Sequence, residues 1–364
     1  MPSQPLKNPA ALGYRMPAEW EPHEATWIAW PHNRSDWPGK FAAIPWVYAE
    51  IVRHLAQVER VEVLVNDAEA RDQALAILRQ AGVATRAVRF QLWPTDRGWT
   101  RDSGPIFVTG SGAGVPTVAA TCWQFNGWAK YSNWQRDARI ASKVVRRLGV
   151  PEYRPTITIK GKPRRVVLEG GSIDVNGQGT LLTTEECLLG DEQQRNPGVT
   201  RDALEQVFAD YLGVKKVLWL GSGIAGDDTH GHVDDIARFA TANTVVAAVE
   251  YDPADVNHEP LQDNLRRLRR MTDQDGRPLR VVELPMPAPV VFRGQRLPAT
   301  YANFYIANRL VLVPTFNDAN DRRALNILAQ LFPDREVVGV YCGDLVWGFG
   351  TLHCMTQQQP RSSD

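Results

Sequence analysis

A single cysteine near the end of the chain carries the strongest chemical signal. Cys354 lies in the segment 347–359, after a glycine-containing turn and before a run of threonine and glutamine. A second polar segment, residues 227–235, holds histidines and aspartates in close succession. A thiol combined with a distant histidine and carboxylates can perform covalent catalysis. Because only the thiolate is a strong nucleophile, we expect polar neighbours around Cys354 rather than an apolar core.

Two further carboxylates stand at the ends of predicted strands. Asp102 follows Arg101 in a polar loop, so it either forms a turn or a surface ion pair, or it belongs to a functional site. Glu169 leaves an apolar Val-Val-Leu run directly before two glycines, which predicts a buried partner or a perturbed pKa. A pair of carboxylates can hold a planar guanidinium through parallel hydrogen bonds and leave its central carbon open to sulfur. These residues indicate a covalent enzyme for a guanidinium substrate.

The residues His230, His232 and Asp234 also allow a metal-dependent alternative. Alternate residues of a strand share one face, so the three side chains could converge on a zinc ion. A catalytic metal needs further ligands and supporting groups, and the remaining histidines form no such pattern. A metal-dependent amidohydrolase and a purely structural cluster therefore stay as less favoured alternatives to a thiol enzyme without metal or cofactor.

The composition limits the class of protein. The 364 residues carry 41 acidic and 41 basic side chains, giving zero formal charge, so we expect no dedicated nucleic-acid surface. No apolar run reaches the roughly 18 residues of a membrane span, and the first residues do not resemble a signal peptide. Cys122, Cys187 and Cys342 lie in or beside apolar runs, as small buried side chains do. With its cysteines scattered, the chain is predicted to be a reduced, cytoplasmic protein.

Apolar periodicity predicts alternating strands and helices. Hairpin, helix and strand recur at intervals of about 70 residues, which suggests a repeated ββαβ unit. Residues 151–164 and 285–300 are expected to be irregular, and neither is composed like an interdomain linker, so one domain over 1–364 is favoured. The predicted helices cover 41–58, 67–81, 134–148, 200–212, 258–271 and 320–332. The predicted hairpins cover 166–183, 235–250 and 303–314.

Seven ordered segments give the chain a resemblance to a known family. They cover residues 16–23, 99–105, 169–171, 226–235, 301–308, 313–316 and 352–360. In these segments the chain resembles the agmatine deiminases, which are grouped with the bacterial peptidylarginine deiminases among the guanidino-group-modifying penteins. The resemblance implies an α/β fold of the pentein type, a five-bladed α/β propeller of ββαβ units with pseudo-fivefold symmetry.

The resemblance also implies a role for each polar position. The family motifs make Cys354 the nucleophile, His232 the general acid and base, Glu169 the group that orients His232, Asp102 and Asp234 the clamp on the guanidinium, and Trp99 a residue of the pocket wall. The implied reaction is hydrolysis of agmatine to N-carbamoylputrescine and ammonia through an amidino–cysteine intermediate, without metal or cofactor. The implied partners are a small cationic guanidine and a second copy of the chain in a homodimer, with no nucleic acid and no membrane.

One motif departs from the family pattern. The family usually has Gly-Gly-Gly-Asn before Ile-His-Cys, whereas Phe349 and Thr351 replace a glycine and the asparagine here. The change concerns substrate preference more than chemistry, so free arginine and peptidyl-arginine stay open as substrates. We expect the acidic and tryptophan residues within 19–36 to form the wall that receives the distal ammonium of agmatine. A non-catalytic pentein that acts as a binding protein is the remaining alternative.

Overall fold

The chain builds one structural unit five times. The computed structural model describes residues 8–110, 114–159 and 161–362. In each unit two strands form an antiparallel pair, a helix follows, and a third strand lies parallel to the second. A helix between two parallel strands is the usual crossover for such a pairing. The ββαβ repeat expected from the sequence is therefore confirmed.

The units are numbered here from the sheet that contains both ends of the chain. Unit 1 consists of the strands Thr356–Pro360 and His23–Ala29, the helix Ile44–Leu55 and the strand Arg60–Val65, extended by the helix Ala68–Gln80 and the strand Val88–Leu92. Unit 2 consists of Ile106–Gly110, Val118–Thr121, the helix Ile140–Leu148 and Glu152–Tyr153, with Tyr14–Arg15 added at the other edge. Unit 3 consists of Asp174–Val175, Thr180–Thr184, the helix Arg201–Leu212 and Lys216–Leu220. Unit 4 consists of Ala237–Thr241, Thr244–Val249, the helix His258–Leu268 and Arg280–Pro285, and unit 5 of Tyr305–Ala307, Leu310–Thr315, the helix Asp321–Leu331 and Glu336–Tyr341.

Unit 1 joins residues from the two ends of the chain in one sheet. The strand His23–Ala29 pairs antiparallel with Thr356–Pro360 and parallel with Arg60–Val65. The closing strand begins shortly after Cys354. The sheet therefore holds the segment that carries the predicted nucleophile.

The helix bounds follow end signals that the sequence displays. Thr200 caps the helix Arg201–Leu212 by accepting a hydrogen bond from an amide of its first turn, and Gly213 ends it in the left-handed conformation with φ 68°. The other predicted helices agree with the structure within a few residues, except the one over 134–148. That helix begins at Ile140, because a 3-10 turn precedes it.

Two segments that were predicted to be irregular contain short hairpins. The paired strands are Thr156–Ile159 with Lys162–Arg165, and Val291–Phe292 with Gln295–Arg296. The prediction was wrong because proline and lysine are typical of loops, whereas a two-stranded hairpin with open edges tolerates both. The hairpin predicted at 303–314 is confirmed, as is the one at 235–250.

Apolar side chains of the helices pack onto the sheets. In unit 1, Tyr48 and Ile51 of the helix and Val61 and Val63 of the neighbouring strand are all fully buried. Complete burial of such a side chain contributes about 1.5–3 kcal/mol. Within the ranges that the structure describes, no helix is long and apolar enough to cross a membrane.

Candidate active site

The predicted site residues, together with Asn303, which was not predicted, lie at one position in the repeat. Each lies in the segment directly before the first strand of a unit, which is called here the lead-in of that unit. Cys354 leads into unit 1, Asp102 into unit 2, Glu169 into unit 3, His232 and Asp234 into unit 4, and Asn303 into unit 5. Three of these lead-ins contain a short helical turn, at Thr100–Ser103, Gly170–Ser172 and Val233–Asp235. Segments at strand ends display side chains while the sheets hold them in place. The repeat thereby gathers residues that are far apart in the chain.

A cavity of about 280 Å³ opens onto this group of residues. Three predicted site residues line it: Trp99, Asp102 and Cys354. The other three are fully buried: Glu169, His232 and Asp234. Contacts between the two sets, described below, bring all six predicted residues into one site.

The Cys354 sulfur lies among polar and acidic groups. Sγ accepts a hydrogen bond from Asn303 Nδ2 at 3.1 Å and lies 3.7 Å from Asp234 Oδ2. Burial, followed by the charges of Asp234, Asp235 and Asp102, raises the pKa of the thiol well above its ordinary value of 9.0. Polar surroundings were expected from the sequence, and Asp102 and Asp234 were expected among them as the clamp on the guanidinium. The thiol is therefore protonated at neutral pH in the free site.

The His232 ring faces carboxylates on both sides. Its Nδ1 is 3.9 Å from Asp102 Oδ1 and 4.0 Å from Asp234 Oδ1, and its Nε2 is 3.7 Å from Glu169 Oε2. Burial by itself lowers the pKa of His232, but Asp102, Cys187 and Glu169 together raise it well above 6.5. Neither ring nitrogen has a hydrogen-bond partner among the described residues. A protonated imidazole with available nitrogens can exchange protons with a ligand.

Two hydrogen bonds hold Asp102 so that it faces the imidazole. Trp128 Nε1 donates to Oδ2 at 2.8 Å, and the Gly171 amide donates to Oδ1 at 3.0 Å. Burial raises the pKa of the Asp102 carboxyl. Arg101 turns away from Asp102 and bonds Glu19 Oε2 at 3.1 Å. The surface ion pair that the sequence left open for Asp102 is therefore wrong.

Glu169 is fixed by Arg195, a residue that the sequence did not single out. Arg195 Nε lies 3.2 Å from Oε1 and 3.3 Å from Oε2, and both side chains are fully buried. Burial would raise the pKa of Glu169, but Arg195 and then His232 lower it to about 2. Glu169 therefore stays ionised and keeps a negative charge beside His232 Nε2.

His353, which sequence reasoning left without a role, lies between two carboxylates. Its Nδ1 is 2.6 Å from Asp234 Oδ2, and its Nε2 is 2.8 Å from Glu19 Oε2. Both ring nitrogens are therefore engaged by carboxylates. Burial would raise the pKa of Asp234, but the hydrogen bond and charge of His353 lower it. His353 therefore keeps Asp234 ionised next to the sulfur.

Asn303 ties the cysteine segment to the lead-in of unit 5. Its Oδ1 accepts from the Thr351 hydroxyl at 2.9 Å and from the His353 amide at 3.0 Å. Its Nδ2 donates to Cys354 Sγ and to Asp235 Oδ1, the latter at 3.0 Å. The only signal for Asn303 in the sequence was its place in the segment 301–308. Thr351, a departure from the family pattern, takes part in this network.

Aromatic rings form part of the cavity wall. Trp99 and Trp128 line it, and a methyl group on Gly350 would lie 2.9 Å from Trp99 Cζ3 and 3.2 Å from Cys354 Sγ. Phe349 also lines the cavity, with its backbone in the left-handed region at φ 67°. Glycine adopts that conformation without strain, which agrees with the glycine usual in the family. Phe349 adds an aromatic ring to the wall instead.

The proposed convergence of His230, His232 and Asp234 on a metal is wrong. The segment is not a strand, since His230 has φ 63° and Gly231 has φ 91°. His230 Nδ1 lies 4.0 Å from Glu186 Oε1, and its side chain is partly exposed. His232 and Asp234 are instead fully buried, with Asp234 Oδ2 3.7 Å from Cys354 Sγ. Strand alternation therefore does not apply to this segment.

Two other groups of donor atoms lie close enough to share a metal ion. They are Glu169, Cys187 and His232, and Asp234, Asp235 and Cys354. Each group contains a carboxylate that already has a partner, since Arg195 pairs with Glu169 and His353 Nδ1 lies 2.6 Å from Asp234 Oδ2. A metal ion would compete with these partners, and at the first group it would also lie close to the Arg195 guanidinium, so these donors suit proton transfer better than metal binding.

A buried thiol, an imidazole and several carboxylates on a mixed α/β scaffold define an enzyme of the thiol-dependent class. The sequence profile of the Porphyromonas-type peptidyl-arginine deiminases matches residues 15–360. The chain belongs to this family.

Relatives with named activities are similar over nearly their whole length. The agmatine deiminase of Pseudomonas aeruginosa (strain LESB58) is 36% identical over 381 residues, covering 98% of this chain and 98% of the relative. The structure of the agmatine deiminase of Enterococcus faecalis has a TM-score of 0.87 at 34% identity, covering 98% of this chain and 99% of that chain. The C. jejuni agmatine deiminase has a TM-score of 0.81 at 26% identity, covering 96% and 97%. The family resemblance predicted from the sequence is confirmed.

Proposed function

We propose that the protein hydrolyses agmatine to N-carbamoylputrescine and ammonia through a covalent intermediate on Cys354. The observation that carries the proposal is the position of Asp102 and Asp234 beside His232, with Asp234 3.7 Å from the sulfur. Carboxylates in this arrangement suit the N–H groups of a guanidinium. The relatives named agmatine deiminase support agmatine as the substrate.

In the first half-reaction the guanidinium binds to Asp102 and Asp234, and its charge lowers the pKa of the Cys354 thiol. The thiol proton leaves to solvent, and the thiolate attacks the central carbon. His232, as imidazolium, protonates a terminal nitrogen while the C–N bond to that nitrogen breaks. Ammonia departs, leaving an S-amidino group on the cysteine and a neutral imidazole.

In the second half-reaction the neutral His232 takes a proton from water as the oxygen adds to the amidino carbon. Glu169, held by Arg195, keeps the imidazole in place for both proton transfers. The adduct collapses as the Cys354 sulfur leaves as a thiolate, and the hydroxyl proton passes to solvent. N-carbamoylputrescine is released, His232 is left as the imidazolium, and the Cys354 thiolate takes back a proton from solvent to restore the resting thiol.

The outer part of the cavity supports agmatine rather than arginine. Asp36 and Asp228 both line it, and Asp36 Oδ2 has no hydrogen-bond partner in the described part of the chain. Burial, with a contribution from Asp228, raises the pKa of Asp36 to about 6. An ammonium ion placed there would be attracted by both carboxylates. Glu19, by contrast, lies behind His353 and not in the wall, so only part of the segment 19–36 fits the expected acidic wall.

Arg97 is the observation that favours arginine as a second candidate substrate. It lines the same cavity, and a guanidinium suits the α-carboxylate that arginine has and agmatine lacks. Arg97 is already paired with Asp36 and lies over the Tyr131 ring at 3.9 Å. That pairing engages the charges of Arg97 and Asp36 alike, so agmatine is preferred because Asp36 Oδ2 has no partner among the described residues and because the named relatives are agmatine deiminases.

Initial rates of ammonia release test the choice of substrate. We expect the highest kcat/KM for agmatine, ahead of arginine and an arginyl peptide. Butylguanidine, which lacks the amine, should be at least about tenfold poorer because it forgoes a charge-assisted contact. Asp36→Asn should remove most of the preference for agmatine over butylguanidine while kcat for butylguanidine is retained.

The control for that comparison is Asp72→Asn. Asp72 pairs with Arg71 on the surface, so its loss should leave the agmatine preference unchanged. A higher kcat/KM for arginine or for the peptide than for agmatine would contradict the proposed substrate.

We further propose that the five units close into a five-bladed α/β propeller with pseudo-fivefold symmetry. Two observations support this arrangement: unit 1 joins both ends of the chain, and the same lead-in of every unit contributes to one site. The single domain over 1–364, the cytoplasmic location and the homodimer remain predictions.

A further inference from the structure

A second pocket, formed by unit 2, has the opposite charge to the active-site cavity. Its volume is about 390 Å³, and the buried residues Cys122 and Trp123 contribute to its lining. Five cationic side chains also line it: Arg139, Lys143, Arg146, Arg154 and Arg165. The chain as a whole has zero formal charge. Five cations around one pocket are therefore a marked local excess of positive charge.

Most of this charge is not neutralised within the protein. Among the five cations of the pocket, only Arg154 has an ion-pair partner in the part of the chain that the structure describes, Glu152 at 2.8 Å. Arg165 donates from one terminal nitrogen to the Cys122 carbonyl, and its Nε is buried without a partner. Burial and then Arg154 lower the pKa of Arg165. A buried N–H group that lacks an acceptor is unfavourable unless a ligand supplies one.

The helix of unit 2 and the 3-10 turn directly before it place three cations on one face. Arg139, Lys143 and Arg146 are spaced by four and three residues, which places them on the same side of a helix. Burial and then Arg139 lower the pKa of Lys143, as expected where like charges crowd together. Arg147, the next residue, does not line the pocket. Arg139, Lys143 and Arg146 are therefore candidates for contact with a bound anion, and Arg147 serves as a control.

We propose that this pocket binds a small anion that carries two or more phosphate groups. Arginine side chains bind phosphate oxygens in pairs, and several arginines meet here. A pocket of this volume suits a small molecule, whereas a nucleic-acid backbone needs an extended charged surface. The half-buried Trp134 in the lining offers a ring for a nucleotide base. Inorganic pyrophosphate and a nucleoside diphosphate share the chemistry that the pocket would recognise.

Calorimetric titration of the full chain with pyrophosphate, ADP and orthophosphate tests the proposal. Ionic strength is held constant, and a chelator removes divalent metals. We expect saturable one-site binding of pyrophosphate or ADP with Kd below about 1 mM, and at least about tenfold weaker binding of orthophosphate. Equal affinities for ADP and pyrophosphate would assign recognition to the phosphates alone, and tighter binding of ADP would add stacking on Trp134.

Two variants of the segment 139–147 make the test specific. Combining Arg139→Gln with Arg146→Gln should weaken binding at least about tenfold, while Arg147→Gln should leave it unchanged. Both proteins should keep the wild-type thermal midpoint and ammonia release, since none of these residues lines the active-site cavity. Lack of saturable binding by the wild type, an equal loss in Arg147→Gln, or tighter binding of an RNA oligonucleotide than of pyrophosphate would overturn the proposal.

Discussion

The Cys354 sulfur lies close to the negative charge of aspartates before any substrate binds. Asp102, Asp234 and Asp235 lie around it, and each raises the pKa of the thiol. A guanidinium cation would compensate this charge. The carboxylates that suppress the thiolate in the free enzyme thus also select the ligand that restores it. A neutral electrophile brings no positive charge and therefore does not lower the pKa of the thiol.

Asp234→Asn should therefore accelerate the alkylation of Cys354 by neutral iodoacetamide while it lowers kcat/KM for agmatine more than about a hundredfold. The variant removes a charge 3.7 Å from the sulfur, which lowers the thiol pKa, and the thiolate is the form that reacts. At neutral pH we expect the alkylation rate of Asp234→Asn to exceed that of the wild type at least about tenfold. In the wild type the alkylation rate should still be rising at pH 9.0, because the thiol pKa lies above that value. Mass spectrometry of the Cys354 peptide measures both rates.

Asp228→Asn is the control for this prediction. Asp228 lines the outer cavity, bonded to Tyr131, and is not among the charges that raise the thiol pKa. Its loss should change the alkylation rate much less than the loss of Asp234. Slower alkylation of Asp234→Asn than of the wild type would contradict the acidic suppression of the thiol.

At the scale of elements, the lead-in of unit 3 brings backbone directly against three catalytic candidates. A methyl group on Gly171 would lie 2.6 Å from His232 Nδ1, 2.9 Å from Asp234 Oδ2 and 3.0 Å from Asp102 Oδ1. The Gly171 amide also bonds Asp102. Glycine at this position therefore sets the spacing of the carboxylates and the imidazole.

Gly171→Ala should lower kcat/KM about a hundredfold, because the methyl group must displace groups whose positions the reaction requires. The crowding should also cost about 1–3 kcal/mol of unfolding free energy. Gly82→Ala is the control: Gly82 has φ 72° and no atom within 4 Å of the added methyl group. It should lose about 1–2 kcal/mol through backbone strain alone, with unchanged kinetics. Urea unfolding and steady-state rates separate the two effects, and full activity of Gly171→Ala would contradict this role.

Elements with end signals could be predicted from the sequence, and elements without them could not. The helix Arg201–Leu212 has a threonine at its start and a glycine after its end. The short turn Thr100–Ser103, which carries Asp102, has no side-chain cap. The segment 227–235 alternates like a strand, but Gly231 turns the backbone and long-range contacts fix the side chains. The alternating pattern predicted a strand for this segment, and the prediction was wrong because tertiary contacts determine its backbone conformation.

At the scale of the whole molecule, a buried ion cluster joins distant parts of the chain. Glu19 Oε1 lies 3.0 Å from Arg238 Nη2, and Glu19 Oε2 lies 3.1 Å from Arg101 Nη2 and 2.8 Å from His353 Nε2. Burial would raise the pKa of Glu19, but Arg238, His353 and Arg101 lower it well below 4.5. Buried charges are tolerated only when paired. The cluster therefore ties the lead-ins of units 1 and 2 to the first strand of unit 4.

Glu19→Gln should destabilise the protein by about 3–5 kcal/mol, because it leaves buried cations without their carboxylate. Glu21→Gln, two residues away, should cost less than about 1 kcal/mol, since Glu21 pairs with Arg15 at the surface. Urea unfolding at neutral pH measures both changes.

Acid adds a second readout of the same cluster. Because the folded-state pKa of Glu19 is lowered, its contribution to stability is complete above pH 4.5 and is lost as the pH falls towards the folded value. Glu19→Gln should therefore lose less stability than the wild type between neutral and acid pH. An equal loss in both proteins would contradict the assigned charge of Glu19.

The repeat and the residues that gather at the cavity could be predicted from the sequence, and the supporting cations could not. The rhythm of hairpin, helix and strand indicated the units, and the motifs of the family indicated Cys354 and its partners. Arg195 and Arg238, each fully buried beside a carboxylate, lie in no motif that marks them. Their carboxylate partners are distant in sequence, so neither the apolar periodicity nor the spacing of motifs predicts these ion pairs.

The covalent intermediate is open to direct measurement by rapid-quench mass spectrometry of the wild-type protein mixed with agmatine. We expect an adduct equal in mass to agmatine minus ammonia, located on the peptide that contains Cys354. Cys354→Ser should form none and should release ammonia at least about a thousandfold more slowly, with its fold unchanged by circular dichroism. Steady ammonia release by the wild type without any adduct on Cys354, or undiminished release by Cys354→Ser, would contradict the proposed chemistry.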